Sequence, residues 1–142
     1  MVFVSGPTED ASPVGRWRNV SYEAENGDVP VERFMKAVER QDIFEWERID
    51  NALRALESLD GSLDPPYNEK VKNDEVLWEL RIYRDFDADE EIPRILYAAL
   101  LELKRHVLFH AFRSKSSTVP QVELRTARLL VNEYTVRTGR RF

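Results

Sequence analysis

The 142-residue chain contains no cysteine. That excludes disulfides, zinc–thiolate sites, iron–sulfur clusters and a thiol nucleophile, and it suits a reducing, cytosolic setting. No apolar run approaches the length of a membrane span, and residues 1–16 lack a basic region followed by an apolar one. Neither a membrane helix nor a secretory leader is therefore expected. Internal repeats and low-complexity tracts are also missing. The expectation is a soluble, cytoplasmic protein.

Hydrophobic residues make up 42% of the chain and aromatics 11%, enough to build one core at this length. Charge is unevenly divided. Residues 1–93 carry 11 Lys and Arg against 23 Asp and Glu, net −12; residues 94–142 carry 10 against 3, net +7, which together give −5. Phosphate neutralisation supplies most non-specific affinity for nucleic acid, so this division suggests a dipolar surface that binds RNA on its basic side. A solvated surface whose charges segregate by chance accounts for the same counts.

Along the chain, residues 1–16 hold Gly6, Pro7, Ser12, Pro13 and Gly15 among acidic residues and read as a mobile arm. Residues 17–142 read as a single domain. Residues 17–22 alternate like a first or edge strand, which the turn formers Glu25-Asn26-Gly27-Asp28 end. Asp28 as a cap, Pro30 in the first turn and Val31, Phe34, Met35 and Val38 at helical spacing predict a short amphipathic helix. Asp42 and Glu45 resemble a capping box, opening a second helix whose stripe is Ile49, Ala52, Leu53, Leu56 and Leu59, up to Gly61. Trp46 is expected in the core. The two helices should form a hairpin on one face of a sheet.

Residues 70–72 read as a short strand, 77–83 as a longer one, and 85–91 as an acidic extended loop. Over 93–105 the chain is ambiguous: Ala98 to Lys104 favour helix by propensity, whereas 107–112 are β-rich. Thr118 and Gln121 fit another capping box, opening a long helix to Thr138 that Gly139 stops. Val122, Leu129, Leu130 and Tyr134 are expected to face the protein, with Arg125, Arg128 and Arg137 outward.

If the runs 93–97 and 108–115 are neighbouring strands, the pleat sets Arg94, Leu96 and Ala98 on one face and Ile95, Tyr97 and Ala99 on the other. It likewise sets Leu108, His110 and Phe112 against Val107, Phe109 and Ala111. Arg81 alternates with Trp78, Leu80 and Ile82 and should point away from the core that those three form. Arg81, Arg94, His110 and a basic exit loop can then converge on one anion.

The ordered series Val31-Glu32-Arg33-Phe34-Met35, Leu77-Trp78-Glu79-Leu80-Arg81-Ile82, Arg94-Ile95-Leu96-Tyr97, His110-Ala111-Phe112 and Lys115 through Pro120 resembles the RelE/HigB superfamily of bacterial toxins, in particular its phage-derived, HigB-like branch. The resemblance covers roughly residues 21–134. It implies an α+β fold: a small, mostly antiparallel twisted sheet, a two-helix hairpin packed on one face, and a C-terminal helix. It also resolves 93–113 as a β-hairpin.

The resemblance further implies the toxin of a type II toxin–antitoxin pair, a metal-independent endoribonuclease that cleaves mRNA, often on the ribosome, by attack of the RNA's own 2′-hydroxyl. No cofactor or metal is implied. The partners would be a cognate antitoxin of helix-turn-helix type and mRNA. Arg94 and Arg81 would stabilise phosphorane charge, Lys115 would bind phosphate or protonate the leaving group, and His110 is the acid–base candidate by intrinsic pKa. Arg113 and Arg125 add cations, and Tyr97 a ring, that RNA could contact. Each role has a structural rival. Arg81 and Arg94 also read as partners of Glu79 or of the acidic loop, His110 as a satisfied core histidine, and Tyr83 and Tyr97 as packing. Pro93 and Thr118 depart from the family pattern and leave the site poorer in cations. The alternatives are a catalytically weak interaction module on the same fold, or a toxin acting on DNA gyrase.

Overall fold

A computed structural model describes residues 2–5, 16–58, 67–84, 90–115 and 117–142. Six strands form one sheet: β1 (Val2–Ser5), β2 (Arg18–Glu23), β3 (Asn68–Lys70), β4 (Trp78–Arg81), β5 (Ile92–Leu100) and β6 (Arg105–Ser114). Three helices cover it: α1 (Pro30–Gln41), α2 (Ile43–Ser58) and α3 (Gln121–Thr138). The strand order is β1-β2-β6-β5-β4-β3. Pairing is parallel for β1/β2 and β2/β6 and antiparallel for the rest. This is the expected α+β architecture. Of the stretch expected as an arm, Val2–Ser5 is a strand, so β2 is the second strand and lies inside the sheet; residue 1 and residues 6–15 lie outside the described residues. The acidic loop falls mostly on residues 85–89, also outside them.

Both faces of the central strands are buried. The α1/α2 hairpin packs Val31, Met35, Val38, Ile49, Leu53 and Leu56 against Leu80, Ile82, Ile95, Tyr97, Leu108 and Ala111. Helix α3 packs Leu124, Ala127, Val131 and Tyr134 on the opposite face, against Val20, Tyr22, Leu96, Ala98, Val107, Phe109 and Phe112. A central strand covered on both sides needs a continuous apolar run and no alternation. That is why the helix formers of 98–100 are strand: Ala98 and Leu100 fill two-sided burial. The turn that follows is a 3-10 helix, Leu101–Leu103, closed by Lys104 at φ 52°.

The β5/β6 ladder carries a bulge. Leu96 pairs with His110 and Tyr97 with Leu108, so Phe109 has no partner on β5. The extra residue changes the phase of the pleat, which corrects the face assignment for this strand. Val107 and Phe109 share the α3 face with Phe112, whereas Leu108 joins Ala111 on the hairpin face.

Local signals at the helix ends are met in part. Asp42 Oδ1 accepts from the N–H groups of Phe44 and Glu45 at 3.1 and 3.2 Å and caps α2. The N-cap of α1 is Val29, not Asp28, whose carboxylate instead takes two hydrogen bonds from Arg33 at 3.0 Å. Pro120 precedes α3 with no side-chain cap, so Thr118 does not fill that role. Gly139 ends α3 at φ 70°, as expected. Val122 and Leu129, expected inward, are 65% and 64% exposed. Among the described residues no helix is long and apolar enough to cross a membrane.

Candidate functional site

Strands β4 and β5 set Arg81 and Arg94 directly opposite each other. Glu79, two residues before Arg81 and therefore on the same face of β4, sits between them. Its Oε1 accepts from Arg81 Nε at 2.9 Å and its Oε2 from Arg94 Nη1 at 3.0 Å. The pleat thus builds a guanidinium–carboxylate–guanidinium cluster from three residues of two adjacent strands.

Main-chain carbonyls of the segment leading to α3 take one further donor from each arginine. Arg94 Nη2 donates to Ser114 O at 3.3 Å, and Arg81 Nη2 to Ser117 O at 3.4 Å. Arg81 Nη2 also lies 3.2 Å from Glu69 Oε2. Glu79 and Arg94 are 2% and 4% exposed, and buried Arg94 Nε has no protein partner. Arg81 is more open and lines a groove of about 380 Å³ with Lys70, Lys72, Glu69, Glu79 and Ser117. Burial opposes the charge on Arg81, but the charges of Glu79 and Glu69 outweigh it and raise its pKa. The guanidinium stays cationic, and two carboxylates balance it.

Of the other expected residues, Lys115 adjoins the cluster through its neighbour Ser114, whose carbonyl holds Arg94, and the rest are dispersed. His110 donates from Nε2 to Glu123 Oε1 at 3.1 Å and stacks on Phe112. It lines a different cavity, of about 460 Å³, with Arg33, Thr126 and Glu133. Lys115 is exposed just past the end of β6. Arg113 is tied to Glu45 of α2 and lies 5.7 Å above the ring of Phe34 in α1; the hydrogen bond it donates to Glu45 raises its pKa against the opposing effect of burial. Arg125 is exposed on α3. Tyr97 is 2% exposed and donates its hydroxyl to Asn68 Oδ1 at 2.6 Å. Burial pushes its pKa up. Its ring is core, and no base can stack on it here.

The two halves of the chain, unlike in net charge, meet in ion pairs. Cations of the second half reach across to acids of the first: Arg94 to Glu79, Arg113 to Glu45, and Arg128 Nε to Asp74 Oδ2 at 2.8 Å. The satisfied core histidine is His106, to which the sequence assigns no role. It is 1% exposed, stacks on Trp17 at 4.6 Å, and donates from Nδ1 to Asn19 Oδ1 at 2.9 Å. Burial lowers its pKa from 6.5 to about 4, so it is neutral. Asn19 Nδ2 in turn donates to Leu53 O of α2 at 2.8 Å, locking β2 to the hairpin.

Two residues that sequence reasoning gave no site role hold the candidates in place, Glu79 at the arginine pair and Glu123 at His110 beside the separate cavity. Glu79 was legible as the partner of Arg81 from its spacing alone. Glu123 was not, since no local pattern links it to His110. No group of three or more potential ligands able to hold a metal ion occurs among the described residues. A family model described as "Phage derived protein Gp49-like (DUF891)" matches residues 36–132, about two-thirds of the chain, and that span contains Glu79, Arg81, Arg94, His110 and Lys115. Among curated proteins none matches the chain.

Proposed function

The chain belongs to the Gp49-like family of phage-derived proteins, a family associated with RelE-like toxins, and from that premise we propose that it is the toxin of a type II toxin–antitoxin pair, an endoribonuclease acting on mRNA. The observation that carries the reading is the pair of guanidiniums held by one carboxylate, beside a groove. Two planar donors converging on an oxyanion are what a transferring phosphate needs.

In this reading the RNA's 2′-oxygen attacks the adjacent phosphorus, the P–O5′ bond breaks, and a cyclic phosphate and a 5′-hydroxyl result. The 2′ proton passes to water; Glu79, buried and already accepting from both arginines, holds the guanidiniums in place. Arg81 and Arg94 hold the charge that builds on the phosphorane oxygens. Lys115 returns a proton to the departing 5′-oxygen. His110, paired with Glu123 in the neighbouring cavity, has no role at the phosphate. A partner protein that covers the groove would neutralise the activity, as an antitoxin does.

A second reading has its own support. Arg94 is 4% exposed and both guanidiniums are already paired with Glu79, so the same fold can serve as a catalytically weak interaction module. Controlled induction in a bacterial host, with mapping of mRNA 5′ ends, separates the two. Growth arrest with new 5′-hydroxyl ends supports the toxin; normal growth with intact messages and folded protein supports the module.

A further inference from the structure

We infer that a second cavity, adjoining the arginine groove, is a nucleobase subsite for single-stranded RNA, with Tyr67 and Tyr83 as its stacking surfaces. The inference rests on the ribonuclease reading and names where the base next to the bound phosphate goes.

The cavity has a volume of about 360 Å³ and lies between α2 and β4. Ala52, Ala55, Leu80 and Ile82 give it an apolar wall, and the two alanines keep it wide enough for a flat ring. Tyr67 and Tyr83 stand at its mouth, ring centroids 6.0 Å apart and nearly perpendicular. In such an edge-to-face pair one ring keeps both of its own faces out of the mutual contact. Tyr67 is 39% exposed. Arg48 and Asn51, one helical turn apart on α2, supply a cation and an amide at the cavity, groups that can read the polar edge of a base.

Arg81 lines both this cavity and the groove, and it is hydrogen-bonded to Tyr83. A nucleotide requires an anion site and a flat apolar slot side by side. Here the cationic groups Lys70, Lys72 and Arg81 border the groove, and the tyrosines border the slot. Against Glu69 and Glu79 these three cations leave the groove lining at net +1, a charge that a phosphate beside the slot would meet and an apolar side chain of a protein partner would not. Stacking on tyrosine tolerates any base, so the subsite contributes affinity without strong sequence preference.

The test uses labelled single-stranded decamers with a 2′-deoxy backbone, which cannot undergo 2′-hydroxyl attack, so binding is read apart from cleavage. A base-bearing decamer should bind the intact protein about tenfold or more tightly than an abasic decamer of equal charge. Combined Tyr67→Leu and Tyr83→Leu should erase that difference while keeping the binding that both oligomers share. Tyr67→Phe, which retains the ring, should keep it. Equal binding of the two decamers by the folded wild type, or an undiminished preference in the double leucine variant, would overturn the subsite and leave the ribonuclease reading standing. No binding of either decamer would overturn both.

Discussion

Arg94 is buried against Glu79, with Nη1 3.0 Å from Oε2, and stands directly across the β4/β5 ladder from Arg81, which the same carboxylate also holds. The cluster ties β4 to β5, and in the proposed ribonuclease it is also the phosphate-binding equipment. A buried ion pair contributes little over a well-packed apolar pair, but breaking it by removing one partner is costly, because the remaining charge is left without compensation.

Arg94→Ala should therefore destabilise the protein by about 3 kcal/mol, the continuing Arg81–Glu79 contact limiting the loss. Chemical denaturation measures it directly. The consequence for function tests is that loss of activity in Arg94→Ala cannot be separated from unfolding, whereas Arg81, with its more exposed side chain, is the cleaner probe.

Stability should fall on acidification because of His106. Its folded pKa is about 4 against 6.5 when unfolded, so between those values the unfolded chain binds more protons, and stability rises with pH across that window. The contribution is complete above pH 6.5 and declines toward pH 4, by about 3 kcal/mol for one neutral buried imidazole. Denaturation series from pH 7 to pH 4 should show a shallower decline for His106→Gln than for the wild type. Parallel curves would contradict the assignment.

Helix α3 gives a paired prediction. Leu129→Ala should leave stability within about 0.5 kcal/mol of wild type, since Leu129 is 64% exposed. Leu124→Ala should cost about 2–5 kcal/mol, since Leu124 is buried on the same helix. Thermal or chemical melts of the two variants, side by side, check the orientation of the helix.

The contrast between these two leucines shows how far the sequence could be read. The two-helix hairpin was legible because Val31, Met35, Val38, Ile49, Leu53 and Leu56 repeat at helical spacing and all are buried. On α3, apolar residues stand on two faces, and only the inner set of Leu124, Ala127, Val131 and Tyr134 meets the sheet; periodicity alone could not choose between them. The β5/β6 hairpin was recoverable from the family's order of motifs, not from propensity, which favours helix over 98–104. The side-chain phase of β6 was lost at Phe109, because a bulge leaves no mark in composition. At the site, the Glu79–Arg81 pair follows from a two-residue spacing, whereas the His110–Glu123 contact and the burial of Tyr97 depend on tertiary packing.

The central claim is that the arginine pair serves phosphate chemistry on RNA, and Arg81→Ala tests it most directly. The measurement is the frequency of new 5′-hydroxyl mRNA ends after induction, compared between wild type and variant at matched levels of folded protein. Loss of one charge-stabilising donor should cut cleavage by about two to three orders of magnitude while growth recovers. Ends at the same positions and frequency from folded Arg81→Ala, or none from the folded wild type, would contradict the account.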